Sequence, residues 1–186
     1  IVIDEAHHSQ ADSYRKLFDH FQPQLLVGLT ATPERMDGKD LRPDFGNRIS
    51  AEIRLPQALQ AGLLTPFQYL CISDATDLSD DSLWSGQKYN IERLADKLCA
   101  KTRARLIVDA LHKYLADEYT CRALCFCVNK RHADFMAEQL RLYGFNAQSL
   151  TSDTPADERK QLAKDLREGT LHYLCVVDIF NEGVDI

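Results

Sequence analysis

The sequence predicts an α/β fold built on parallel strands. Short apolar runs alternate with amphipathic helical stretches along the chain, the pattern of strand–helix–strand units. Several of those runs also end directly in polar residues, Ile1-Val2-Ile3 in Asp4-Glu5 and Leu25–Leu29 in Thr30-Ala31-Thr32-Pro33. In an open parallel sheet, ligands bind beyond the carboxyl ends of strands, so polar residues there are candidates for chemistry.

Taken in order, Ile1–Asp4 is a short strand whose opening reads as the middle of an element rather than a natural start. Tyr14, Leu17, Phe18 and Phe21 recur at helical spacing, with Pro23 just beyond, so a helix follows. Leu25–Leu29 is a second buried-type strand. The polar stretch from Glu34 to Arg48, with Gly38, Pro43 and Gly46, reads as loop with room for one short helix. Leu55–Ala61 predicts a helix stopped by Gly62, and Phe67–Ile72 a strand; the Gly62–Pro66 stretch between them divides the chain into 1–62 and 63–186. Asp74–Asp81 is acidic but lacks the alternating donors, glycine and distant glutamate of a calcium loop, so a solvated loop is expected. The single tryptophan, Trp84, is read as a packing anchor.

Helices are expected at Ile91–Cys99 and from Thr102 to Leu115, the latter with Ile107, Ala110, Leu111, Tyr114 and Leu115 on one stripe. Ala123–Val128 is a strand, and Arg131–Tyr143 a helix closed by Gly144. Ala147–Leu150 is a strand, and Thr154-Pro155 with Asp157 opens a helix that Gly169 ends, Thr154 acting as cap. Tyr173–Val177 is the last strand, and Asp178–Ile186 the loop after it.

Net charge is −6, which excludes a basic coat for nucleic acid and leaves any such contact to a local cleft. Hydrophobic content of 45% and charged content of 27% are those of an ordinary globular protein. No apolar run approaches the roughly 20 residues that span a bilayer, so no membrane role is expected. Of the six cysteines, Cys71, Cys125, Cys127 and Cys175 lie in apolar strand-like runs and no CxxC pair exists. Reduced thiols in a cytoplasmic protein are therefore expected, in preference to a metal site or disulfides.

Asp4 and Glu5 carry the chemistry that can be read from residue types alone. Two adjacent carboxylates at a strand tip repel one another unless a cation is present. Magnesium prefers oxygen ligands and keeps several waters, so Asp4 could hold its hydration shell while Glu5 activates a water. The bland alternative is a solvated strand end. Thr30 and Thr32 could hydrogen-bond a neighbouring strand end, or simply mark a turn. Gly183 permits close backbone approach and Asp185 could accept from a ribose hydroxyl; the alternative is a polar loop with a turn glycine.

Ile1-Val2-Ile3-Asp4-Glu5-Ala6-His7 resembles motif II (Walker B) of the superfamily-2 DEAD/DEAH-box helicases, and Gly28–Pro33 resembles their motif III. Arg122–Arg131 looks like motif IV and Val177–Ile186 like motif V, in family order. Pro56–Pro66 and Phe180–Ile186 are most similar to the bacterial type I/type III restriction-subunit-like group. The resemblance implies RecA-like parallel sheets, with part of a first lobe in 1–62 and a nearly complete second lobe in 63–186. It implies ATP and Mg2+ between lobes and nucleic acid across them, DNA being the expected track. Asp4 would coordinate magnesium, Glu5 would be the general base, and His7, Thr30 and Thr32 would couple hydrolysis to lobe movement. Gly183 and Asp185 would contact nucleotide, and Asn129, Lys130 and Arg131 the phosphate backbone. His8 matches no required position and is read as a surface residue.

The departures from the family are equally legible. No GxGK[ST] phosphate loop and no arginine-finger motif is present, so this stretch by itself is expected not to hydrolyse ATP appreciably. Val177-Asp178-Ile179 stands where the family often has Thr or Ser. Two other functions fit the residues: a non-catalytic interaction module, and the motor part of a restriction enzyme beside a nuclease domain.

Overall fold

The structure is a computed structural model, and it describes residues 1–33, 40–86 and 88–178. The chain divides into two compact units, Ile1–Tyr69 and Leu70–Ile186.

In the first unit, β1 (Val2–Ile3) pairs in parallel with β2 (Val27–Gly28), Val2 opposite Val27 and Ile3 opposite Gly28. The ladder extends beyond those residues: Val27 N–H donates to the Ile1 carbonyl at 3.0 Å, Leu29 N–H to Ile3 at 2.8 Å, and Ala6 N–H to Leu29 at 2.8 Å. The connection is α1 (Asp12–Phe21), the helix its apolar spacing predicts. Short 3-10 turns at Ala6–His8 and Arg42–Phe45 complete the site-bearing part. The helix α2 (Leu55–Gln60) follows, and Gly62 leaves it with φ of +68°. Burial is thin: Ile3, Ala6, Ser9 and Ala58 are buried, while Val2, Leu25 and Leu29 are at least half exposed.

The second unit holds a three-stranded parallel sheet in the order β5 (Ala123–Phe126), β7 (Tyr173–Val176), β6 (Ala147–Leu150). Every residue of the central β7 is buried, because both faces are covered. Tyr173 and Cys175 pack with Met136, Ala137 and Leu140 of α5 (Lys130–Leu142) and with Val108 of α4 (Lys101–Tyr114). Leu174 and Val176, alternate along the strand, pack with Leu166 of α6 (Ala156–Glu168) and with Leu150. The sheet is thus filled from both sides by its own crossover helices. The α/β class with parallel strands is borne out.

Four local expectations are corrected. Phe67–Ile72 forms no strand: among the described residues its backbone has no ladder partner, and Phe67, Tyr69, Leu70 and Ile72 are exposed. β-propensity without a neighbouring edge leaves an extended segment. Thr154 is not the cap of α6; Pro155 takes that position without a side-chain bond, and the Thr154 hydroxyl instead accepts from the Thr151 amide at 3.0 Å. Trp84 is 42% exposed and lies in an unforeseen hairpin of β3 (Trp84–Ser85) and β4 (Lys88–Tyr89), stacked on Tyr89 at 4.1 Å. Asp74 is not simply solvated, since it pairs with Arg103 of α4. α3 (Ile91–Leu98) is capped by Asn90, whose side chain accepts from the Arg93 amide at 3.1 Å.

Candidate nucleotide-hydrolysis site

The tip of β1 is built by an abrupt change of backbone direction. After Ile3 the chain leaves the strand through Asp4, and Glu5 takes left-handed dihedrals, φ 49° and ψ 49°. For a glutamate that region costs roughly 1–2 kcal/mol, so the surrounding contacts must hold it there. They are local: Asp4 Oδ1 accepts from the Glu5 amide at 2.9 Å, and the Ala6 amide is held by Leu29. Asp4 is exposed and Glu5 is only partly exposed.

The 3-10 turn after Glu5 presents His7 to the end of β2. His7 Nδ1 lies 3.0 Å from Thr30 Oγ1, 3.4 Å from Thr32 Oγ1 and 3.4 Å from Glu5 Oε2. The Thr30 hydroxyl also accepts from the Thr32 amide at 3.1 Å, which folds the Thr-Ala-Thr turn back on itself. One ring nitrogen thus joins the water-facing glutamate of the first strand to two hydroxyls of the second. Protonated, Nδ1–H donates to Thr30 or to the carboxylate; unprotonated, it accepts from a threonine hydroxyl. Asp4, Glu5, His7, Thr30 and Thr32 are therefore brought together at the carboxyl ends of two adjacent parallel strands. His8 is exposed and its ring sits 4.1 Å from that of His7.

The donor set fits magnesium. Asp4 and Glu5 offer carboxylate oxygens, and an ion that keeps its waters and takes one or two carboxylates needs no closed protein cage. Among the described residues no group of three or more His, Cys, Asp or Glu side chains gathers as a metal centre. All six cysteines are unpaired thiols. Hydrogen bonding with the Cys125 and Cys127 thiols, and then burial, pushes the Cys175 thiol well up.

In the second unit, the predicted polar residues follow β5. Asn129 caps α5, its Oδ1 accepting from the His132 amide at 2.9 Å, and its Nδ2 donates to Glu92 Oε1 at 3.1 Å. Lys130 Nζ pairs with Asp153 at 2.6 Å, and Arg131 with Asp96 at 2.5 Å. The hydrogen bond to Asp96 raises the Arg131 guanidinium further above its ordinary value. Gly183 and Asp185 lie outside the described residues. Asp178, just past β7, adopts φ of 50°, the same left-handed turn that Glu5 makes past β1. Residue patterning carries no sign of that.

Asp44 is likewise invisible to residue patterning. Its carboxylate, 6% exposed, accepts from Ser9 Oγ at 3.0 Å, Gln10 Nε2 at 2.7 Å and the two terminal nitrogens of Arg15 at 2.6 and 2.8 Å. No pattern links residues some thirty positions apart, so only the fold reveals it.

Two stretches of the chain match known families. Residues 1–35, which carry β1, α1, β2 and the threonine turn, match the family described as type III restriction enzyme, res subunit. Residues 106–186 match the helicase conserved C-terminal domain. In this order the two matches bear out the resemblance to the superfamily-2 helicases. The chain is 27% identical, over its whole length, to 40% of a "51.5 kDa protein" of a Lactococcus phage (isolate 7-9). It is 28% identical, again over all of it, to 28% of "Putative ATP-dependent helicase IRC3" of Saccharomyces cerevisiae. It therefore spans well under half the length of these curated relatives. The solved structure of S. cerevisiae Dbp5 bound to RNA and ADP BeF3 aligns with all of this chain and 41% of that one, at 17% identity and a TM-score of 0.46, too low to support a statement about fold. No helix among the described residues is long and apolar enough to cross a membrane.

Proposed function

We propose that this chain is part of an ATP-dependent nucleic-acid helicase or translocase in which Asp4 and Glu5 serve the hydrolysis of ATP. The observation that carries this reading is the His7 bridge, since a single imidazole contacts Glu5 and the Thr30–Thr32 turn of the neighbouring strand. The name of the yeast relative, an ATP-dependent helicase, supports it.

In this reading the Glu5 carboxylate accepts a proton from a water as that water's oxygen attacks the γ-phosphorus, and the β–γ bridging oxygen departs with the ADP. Magnesium, when bound, supplies positive charge beside the phosphate oxygens. Asp4 orients the waters around that charge. His7 holds Glu5 to the threonine turn, so that loss of the γ-phosphate alters one hydrogen bond and the turn follows. Gly183 and Asp185 would contact the nucleotide.

The 1–62 and 63–186 segments would be parts of the two RecA-like lobes, and the Asp-Glu-Ala-His string the DEAH form of motif II. The protein would be cytoplasmic and bacterial in type, with DNA as its track. Lys130 and Arg131 would contact phosphates there. Their present pairs are exposed, and exposed pairs are worth only ~0.2–1 kcal/mol, so a phosphate can displace Asp153 and Asp96. Asn129 would contribute indirectly, by setting the start of α5.

The test is Glu5→Gln in the full-length protein, assayed for ATP turnover with and without nucleic acid. Stimulated turnover should fall by about 10²–10⁴ while nucleic-acid binding stays intact; unchanged turnover would refute the role of Glu5. A narrower reading, the motor of a restriction enzyme, is favoured by the restriction-subunit match over residues 1–35. It predicts ATP-dependent cleavage of DNA in the same assay.

A further inference from the structure

We infer that Asp44 and Phe45 form a two-sided latch that positions His7 against Thr30, with Asp44 as a positioning residue for the proposed hydrolysis. The two neighbouring side chains grip opposite halves of one hydrogen bond. Asp44 holds the segment that follows His7. Ser9, fully buried, closes the 3-10 turn of His7 by donating its amide to the Ala6 carbonyl at 2.9 Å, and its hydroxyl donates to Asp44 Oδ2 at 3.0 Å. Gln10 and Arg15 add three further donors to the same carboxylate. Phe45 holds the other half. Its ring fills the space over Gly28, so close that a Cβ there would lie 2.6 Å from Phe45 Cζ, and Gly28 is two residues before Thr30.

The consequence is mechanical. The turn carrying His7 and the strand carrying Thr30 are each anchored to one short 3-10 turn, Arg42–Phe45, at consecutive residues. A carboxylate that accepts four donors while 6% exposed is an expensive arrangement to leave half made, because lost partners leave buried donors unsatisfied. Weakening it would let the His7 turn drift relative to Thr30, and a shift well under 1 Å suffices to break a 3.0 Å bond. Misplacement of that size at a reacting centre is costly, up to about a hundredfold for 1 Å.

The role of the latch in turnover rests on the proposed function, whereas its hold on His7 does not. The experiment therefore reads both, in the full-length protein: the 15N resonance of His7 Nδ1, and nucleic-acid-stimulated ATP turnover. Asp44→Asn should shift the resonance toward that of an unbonded imidazole. It should lower stimulated kcat about tenfold and leave KM for ATP within about twofold. Ser9→Ala, which removes one donor of four and leaves the charge pair, should shift the resonance in the same direction by less, and decides the matter if Asp44→Asn does not fold. An unmoved His7 resonance in the folded variants overturns the latch. If the resonance moves in a protein that hydrolyses no ATP, the latch stands and the hydrolytic reading falls.

Discussion

Gly28→Ala is the perturbation whose outcome the structure fixes most tightly. The added methyl would lie 2.6 and 2.7 Å from Cζ and Cε1 of Phe45 and 2.8 Å from Cβ of Ala6. Carbon atoms pack at about 3.5–4.0 Å, so each neighbour must retreat by roughly 0.7 Å or more. The Phe45 ring can swing, but Ala6 is fully buried and its amide is fixed to Leu29, so part of the strain stays. Overpacking of this kind costs about 1–3 kcal/mol. The first unit has few buried residues to absorb it. The natural reporters are the Leu29 and Ala6 amides, which bond across the two strands at 2.8 Å each. With tenfold per 1.4 kcal/mol, their hydrogen exchange should accelerate by about 5- to 150-fold. Phe45→Leu in the same background should recover part of the loss, a coupling of ~0.5 kcal/mol or more. Exchange within twofold of the parent would show that Gly28 is not packed tightly between Phe45 and Ala6.

Three other outcomes follow from particular contacts. Thr30→Val removes the hydroxyl that meets His7, and in the full-length protein it should slow nucleic-acid movement more than ATP turnover; equal losses would argue against a coupling role. Tyr173→Phe removes the hydroxyl that donates to the Glu118 carbonyl and accepts from Cys121, and should destabilise the second unit by about 1–2 kcal/mol in urea unfolding. His132 is buried, 7% exposed, and desolvation first, then the charges of Arg103 and Arg131, depress its pKa below the ordinary 6.5. The unfolded state then binds the proton more readily, so stability is full above pH ~6.5 and is lost as pH falls toward the folded value. His132→Asn should flatten that part of the stability–pH curve, and an unchanged curve would assign the slope to other groups.

Much of this architecture is legible in the order of residues. Helices α1, α3, α4, α5 and α6 announce themselves by apolar spacing, and Gly144 and Gly169 end their helices at φ of +89° and +79°, where other residues are strained. Strands β5, β6 and β7 are legible because each is an apolar run between helices. The juxtaposition of His7 with Thr30 is foreseeable in kind, because both follow apolar strand runs, but the twenty-two intervening positions hold no pattern that joins these two residues in particular. What the sequence conceals depends on tertiary partners. Phe67–Ile72 has the composition of a strand but no neighbour to pair with among the described residues. Asp44 looks like any loop aspartate until Ser9, Gln10 and Arg15 converge on it. The Trp84–Tyr89 hairpin does carry a local sign, a glycine between aromatic and polar residues, and Gly86 takes φ of +65° there.

The division of labour between Asp4 and Glu5 is tested most directly by the affinity of the full-length protein for Mn2+ with a non-hydrolysable ATP analogue, read by electron paramagnetic resonance. Asp4→Asn should weaken Mn2+ binding by about 10–100-fold, whereas Glu5→Gln should bind the ion nearly as tightly as the parent. Equal affinity in the parent and Asp4→Asn would contradict a metal-holding role for the tip of β1.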